Sequence, residues 1–161
     1  SLRAQSELDL MTELYNKVTT ERLVGSLLAT NTSHNALMIV DIDDFKYVND
    51  TKGHRKGDET LARLAKLLSE NFRRKDIIGR LGGDEFVVLL RNVNRAADVE
   101  KKMENLLSQI RGIEGEDAFS ISVGIAIREK EHEHFESLYE RADRALYQAK
   151  KDGKDQFIIE S

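Results

Sequence analysis

Two short apolar runs, residues 77–81 and 86–90, are separated only by Gly82-Gly83-Asp84-Glu85. Four residues are too few for a crossover connection, so the two runs read as antiparallel strands joined by a glycine-rich hairpin turn. That feature disfavours a fully parallel doubly wound sheet and places two glycines and two carboxylates together at a sheet end.

The rest of the chain alternates around this hairpin. Residues 18–30 set Leu23, Val24, Leu27 and Leu28 on one helical face, and residues 36–42 form a short apolar run, read as a buried strand. Residues 56–72 carry Leu61, Leu64, Ala65, Leu68 and Phe72 at the three-and-four spacing of an amphipathic helix. A further helix spans residues 95–110, with Met103, Leu106, Leu107 and Ile110 inward, and residues 119–127 alternate like a half-buried strand. The last helix, residues 137–151, carries Leu138, Ala142, Ala145, Leu146 and Ala149, and Gly153 stops it before a strand at residues 156–159. Past the leading helix, the order strand, helix, strand, strand, helix, strand, helix, strand predicts an α+β sandwich. Its core is a ferredoxin-like split βαβ sheet with helices on one face.

At 161 residues and 40% apolar, the chain suits one globular domain, here residues 9–161 after a lead-in at 1–8. The formal charge of −4 and the lack of a dense basic run argue against binding a nucleic acid polymer. The absence of cysteine excludes disulfides and thiolate metal sites, and no apolar run of about 18 residues offers a membrane span. A reducing cytoplasm is the expected location. Residues 1–14 lack the pattern of a secretory signal, and the Asn31-Thr32-Ser33 sequon reads as chance. The abrupt polar start suggests a domain cut from a longer regulatory protein, a freestanding enzyme being the alternative.

The chemistry concentrates in acidic residues. Asp41, Asp43 and Asp44 stand where the first strand ends, and the split topology brings Asp84 and Glu85 beside them. Five converging carboxylates would repel one another unless a cation offset them, and hard oxygen donors select Mg²⁺ or Mn²⁺. Solvated strand ends and helix caps are the plainer reading of either acidic patch taken alone. Gly82 and Gly83 serve either an ordinary turn or the close approach of a phosphate. Asn49 and Asp58 flank Gly53-His54, and a carboxylate accepting from two adjacent donors matches the N1–H and N2–H of guanine; capping of the helix near Lys56 is the alternative. Lys150, Lys151 and Lys154 either hold a triphosphate or meet the negative end of the last helix. His132 and His134 lack the i, i+4 spacing of a zinc-binding helix.

The stretch Arg80-Leu-Gly-Gly-Asp-Glu-Phe86 resembles the signature of the GGDEF family of diguanylate cyclases. Similar to that family also are Asp9-Leu-Met-Thr-Glu-Leu-Tyr-Asn16, Asp41-Ile-Asp-Asp-Phe-Lys-Tyr-Val-Asn-Asp50, Gly53-His54, Gly57-Asp58, Ser122-Val-Gly124 and Ala142-Asp-Arg-Ala-Leu-Tyr-Gln-Ala-Lys150. The resemblance implies a nucleotidyl-cyclase-like fold with the Gly-Gly-Asp-Glu-Phe hairpin at the active site. It implies the joining of two GTP molecules into cyclic di-GMP with release of two pyrophosphates.

Carried over by position, Asp41, Asp84 and the backbone carbonyl of Ile42 would hold Mg²⁺ or Mn²⁺, two ions per site, with Asp84 the candidate base and Glu85 a supporting carboxylate. Asn49 and Asp58 would read guanine, and His54 would lie near the nucleotide. Lys46, Arg80, Lys150 and Lys154 would meet phosphates or organise the site. One subunit holds one GTP, so a homodimer is implied, with the chemistry confined to facing sites and no membrane contact by the domain itself. Arg73 and Asp76 resemble an inhibitory R-x-x-D site for cyclic di-GMP, the product; an ordinary solvated helix end is the alternative. Three departures stand out: Glu13 where the family usually has glycine, Lys17 where arginine is common, and Lys154-Asp155 where arginine-asparagine is common. Lys154 lacks arginine's bidentate fork and would hold a triphosphate less rigidly. A GTP or cyclic di-GMP sensor without turnover is the runner-up, and a cyclase making a mixed GMP-AMP product is a third reading.

Overall fold

A computed structural model describes residues 6–30, 34–129 and 133–160. The sequon at residues 31–33 and His132 lie outside the described residues. The elements run α1 (Lys17–Thr30), β1 (Ala36–Ile42), α2 (Phe45–Lys52), α3 (His54–Asn71), β2 (Ile77–Gly82), β3 (Glu85–Leu90), α4 (Ala96–Arg111), β4 (Ile121–Ile127), α5 (Phe135–Lys151) and β5 (Gln156–Glu160). A 3-10 turn, Gly115–Asp117, leads into β4.

The sheet order is β2-β3-β1-β4-β5. β1 pairs antiparallel with both β3 and β4, β2 and β3 form the expected hairpin, and β5 adds parallel to β4. This is the split βαβ arrangement, extended by one strand.

The helices cover both faces of the sheet, where one covered face was expected. All seven residues of β1 are buried, because alternate side chains enter different cores. Met38, Val40 and Ile42 pack with Leu61, Leu64 and Leu68 of α3 and Met103 and Leu106 of α4. Leu37 and Ile39 pack with Val24 and Leu28 of α1 and Leu138, Ala142 and Leu146 of α5. A strand sheathed on both sides reads as a continuous apolar run, as residues 36–40 do. Each fully buried aliphatic side chain contributes about 1.5–3 kcal/mol relative to exposure.

One glycine governs how closely α5 approaches. A Cβ on Gly124 of β4 would lie 2.1 Å from the Ala142 carbonyl oxygen and 2.2 Å from the Leu146 nitrogen. α5 therefore rests directly on bare β4 backbone, and this contact sets the height of the helix above the neighbouring end of β1.

Helix α2 has no counterpart in the apolar pattern. None of its residues is fully buried, its inward side is only the half-buried Phe45, Val48 and Asn49, and Gly53 at φ 90° joins it to α3. The helix expected to open near Lys56 thus begins at His54.

Candidate active site

The register of β1 against β3 sets Asp41 directly opposite Glu85, and that against β4 sets it opposite Ser122. Asp41 follows Leu37 and Ile39 in the alternation, so its side chain faces α5. Lys150 on that helix donates from Nζ to Asp41 Oδ2 at 2.6 Å. The other oxygen, Oδ1, is buried and accepts no hydrogen bond. Burial pulls the Lys150 ammonium down, but its bond to Asp41 outweighs that and leaves it above its ordinary pKa. Lys150 is thus more than a cation at a helix end.

Asp84 lies in the turn between the hairpin strands. Burial, and then the charge of Asp41, push its carboxyl above the ordinary aspartate pKa. Glu85 is raised as well, chiefly by burial, against the opposing effect of Tyr139. The Tyr139 hydroxyl donates to both Glu85 oxygens, each at 2.9 Å.

The five carboxylates do not converge on one point. Asp43 accepts from Ser122 Oγ at 2.5 Å, from Ser120 Oγ at 2.6 Å and from the Asp155 amide at 3.0 Å, which makes it a brace between β1, β4 and the approach to β5. Asp44 sits at φ 54° ahead of α2 and receives Lys154 Nζ at 2.6 Å. Among the described residues, no three His, Asp or Glu side chains gather as a complete ligand set. What remains for a cation is the Asp41–Asp84 pair, with one orphaned buried oxygen and the Ile42 backbone beside it. That donor set fits Mg²⁺ or Mn²⁺, which take one or two carboxylates and complete their shell with water and phosphate oxygens.

Gly82 and Gly83 have φ of 139° and 52°, conformations that a side chain would strain, and both positions are exposed with open space where a Cβ would be. Arg80 fixes this turn from within. Its Nε and Nη2 donate to the Gly83 carbonyl at 3.0 and 2.7 Å, and Nη1 reaches Asp9 Oδ2 at 3.1 Å. For Asp9, burial acts upward, but the Thr12 hydroxyl and Arg80 outweigh it and hold the carboxyl below its ordinary range. Arg80 thus joins the Gly83 carbonyl to Asp9.

A second group of predicted residues flanks the α2–α3 corner. Lys46, His54 and Asp58 are exposed there, and Asn49 is half-buried. A Cβ on Gly57 would fall 1.8 Å from Asn49 Oδ1, so the Asn49 carboxamide rests on the bare Gly57 backbone, next to Asp58 in the chain. Asp58 lies inside α3, which removes helix capping as its explanation.

Arg73 and Asp76 lie apart from these groups. The Asp76 side chain is fully buried, and its oxygens accept from the Arg73 amide at 2.9 Å and the Arg91 amide at 3.1 Å. Arg73 Nη2 donates to the Arg91 carbonyl at 2.9 Å. Both residues border a groove of about 420 Å³ that Arg74, Phe72 and Tyr15 also line.

Three contributors escaped the sequence reading: Tyr139, Asp9 as the partner of Arg80, and the Ser120/Ser122 pair. A polar-tipped aromatic beside the apolar stripe of α5 was the available signal for the first, and a Ser-x-Ser strand entrance opposite Asp41-Ile42-Asp43 for the last.

The family model for the diguanylate cyclase GGDEF domain matches residues 6–156. The chain belongs to the GGDEF domain family. Among curated relatives, this GGDEF domain is 37% identical over 125 residues to diguanylate cyclase DgcM of Escherichia coli (strain K12), covering 76% of this chain and 30% of that protein. It is 34% identical to the probable diguanylate cyclase DgcC of the same organism, covering 96% of this chain and 43% of that protein. The chain thus spans less than half the length of these relatives. The crystal structure of the coiled coil and GGDEF domain of DgcB from Caulobacter crescentus, in complex with c-di-GMP, matches with a TM-score of 0.91 at 26% identity, covering 98% of this chain and 87% of that one. No described helix of the present domain is long and apolar enough to cross a membrane.

Proposed function

We propose that this domain is a diguanylate cyclase that condenses two GTP molecules into cyclic di-GMP and two pyrophosphates. The observation that carries this reading is the Asp41–Asp84 pair: two carboxylates at one sheet end, one of them keeping a buried, unbonded oxygen, beside the open glycine turn and Lys150. Family membership and curated cyclase relatives support it.

Each step joins a 3′-hydroxyl oxygen of one GTP to the α-phosphorus of the other. The bond from that phosphorus to the bridging oxygen breaks, pyrophosphate leaves with the electron pair, and the hydroxyl proton passes to a base. Asp84 is our candidate for that base, since it stands in the turn between the hairpin strands, next to the open glycines. Asp41, Asp84 and the Ile42 carbonyl would hold Mg²⁺ or Mn²⁺, which when bound offsets triphosphate charge and favours the ionised hydroxyl. Asn49 and Asp58 would read guanine, with His54 alongside, and Lys46, Lys150 and Lys154 would meet phosphates. Gly82 and Gly83 would admit them close to backbone. One domain holds one GTP, so two copies must face each other for both attacks.

Product inhibition is proposed at Arg73 and Asp76. The burial of Asp76 gives the pair unequal parts. Arg73 would turn its fork from the Arg91 carbonyl to guanine O6 and N7, while Asp76 keeps the turn in shape.

Concentrated protein incubated with GTP and Mg²⁺, followed by chromatography with mass detection, tests the reading. Cyclic di-GMP should form at a rate rising more than linearly with protein, ATP should give no product, and Asp84→Ala should stay folded and lose synthesis. No product, even from copies joined by a dimerisation tag, would overturn the cyclase reading in favour of a nucleotide-binding module.

A further inference from the structure

Glu85 and Asp41 are register partners on adjacent antiparallel strands, and both side chains stand on the α5 face. Such partners have Cβ atoms about 5 Å apart, and like charges there destabilise the pair. Left alone, the flexible Glu85 side chain would have no fixed orientation. There is space for such motion: Glu85 and Tyr139 themselves line a cavity of about 210 Å³, together with Lys17, Glu21, Leu81 and Phe135. Lys17 and Glu21 bring opposite charges to that cavity, so it offers an untied carboxylate room to move and no single resting place.

The Tyr139 hydroxyl opposes this by donating to both Glu85 oxygens at 2.9 Å. Its ring is itself held, with the Phe135 ring 5.9 Å away at a tilt of 39°. Both rings pack on the cluster formed by Leu37, Ile39, Leu138 and Ala142. Leu138, the preceding residue, is fully buried, so the helix cannot turn to release the hydroxyl. Tyr139 and Lys150 belong to one helix, eleven residues apart, near three whole turns, so they project on similar sides. One helix thus ties down the two facing carboxylates of adjacent strands.

We infer that Tyr139 is a positioning residue for the cyclase reaction: its hydroxyl fixes the Glu85 carboxylate in one orientation at the wall of the cavity that the two residues share. The inference rests on the proposed function, because Glu85 follows Asp84 and faces Asp41 at the sheet end where that function places the reaction. Tyr139 acts through Glu85 and touches neither nucleotide nor cation.

The test is a double-mutant cycle with Tyr139→Phe, Glu85→Gln and both together, each variant checked by thermal unfolding. Steady-state rates are taken against GTP and against Mg²⁺. Tyr139→Phe keeps the ring, so the melting temperature should stay near that of the wild type. The value of kcat should fall about tenfold, the rate equivalent of one lost hydrogen bond to a charged group. At saturating Mg²⁺, KM for GTP should hold, since the α2–α3 corner is untouched, and half-saturation by Mg²⁺ should move upward. The double variant should be no slower than Glu85→Gln alone. Losses that multiply would show Tyr139 acting independently of Glu85, and an unchanged kcat or Mg²⁺ requirement in Tyr139→Phe would likewise overturn the assignment. A wild-type protein that makes no cyclic di-GMP would bring down the proposed function and this inference together. An active wild type with multiplying losses would bring down only the inference.

Discussion

Gly124→Ala is the substitution that most directly tests the link between packing and site geometry. The added methyl would lie 2.1 Å from the Ala142 carbonyl oxygen and 2.2 Å from the Leu146 nitrogen, both backbone atoms of α5. No rotamer change relieves a clash with backbone, so the helix must retreat by roughly 1 Å before ordinary contact is restored. Overpacking of this kind costs about 1–3 kcal/mol. For a domain of this size that lowers the melting temperature by about 2–10 °C. The functional loss should be larger in proportion. α5 carries Lys150, 2.6 Å from Asp41, and Tyr139, 2.9 Å from Glu85, and lifting it draws both partners out of hydrogen-bonding range. A misplacement of 1 Å can lower a rate about a hundredfold. Thermal unfolding by circular dichroism, alongside the cyclase assay, would report the two effects. A variant that melts with the wild type and keeps its rate would refute the argument that Gly124 sets the seat of α5.

Other outcomes follow from the same contacts. Asp76→Ala removes a buried carboxylate that holds two backbone amides and should cost about 3 kcal/mol in urea unfolding. Arg73→Ala should cost under about 1 kcal/mol, as an exposed contact, yet raise the cyclic di-GMP concentration needed to halve the rate in a dimeric protein. An unchanged inhibition curve would remove Arg73 from the product site. Glu13 sits at φ 62°, so Glu13→Gly should relieve strain and stabilise by about 1 kcal/mol; a lower melting temperature would contradict this. In metal-free buffer, the raised pKa of Asp84 means that the folded chain binds this proton more tightly than the unfolded chain. Stability from this group is therefore lost as pH rises from its ordinary value of 3.8 through the raised folded value. The stability of wild type minus that of Asp84→Asn should fall across that window in denaturant titrations, and a difference that grew with pH would be the wrong sign.

The hairpin, the buried strand β1 and the stripe of α5 were all legible in the sequence because each has an apolar run, a period or a turn that local chemistry enforces. Leu138, Ala142, Ala145, Leu146 and Ala149 are all buried, as their spacing predicts. Helix α2 was not legible, because Phe45–Lys52 spans about two turns and half-buries only Phe45, Val48 and Asn49, too short a stripe to read as periodic. The second layer of helices escaped because periodicity tells which face of a helix is apolar but not which face of the sheet it meets. The motifs located Asp41, Asp84, Asn49 and Asp58. They could not reveal the partners, since Tyr139 and Ser122 are brought to their carboxylates only by strand register and helix seating.

That difference matters most for the acidic cluster. Counted along the chain, Asp41, Asp43, Asp44, Asp84 and Glu85 look like five equivalent ligands. The fold makes them unequal by giving each a different donor: two serine hydroxyls and an amide for Asp43, Lys154 for Asp44, Tyr139 for Glu85 and Lys150 for one oxygen of Asp41. Asp84 and the second oxygen of Asp41 are left with the least compensation, and the raised proton affinity of Asp84 is the electrostatic mark of it. Two carboxylates are too few to complete the shell of a hard divalent cation, which ordinarily draws its remaining donors from water and substrate phosphates. On the proposed reading, the triphosphate therefore supplies what the protein omits, so GTP and cation should each bind more tightly in the presence of the other. A site built from all five acids would have held its cation without substrate and lost that coupling.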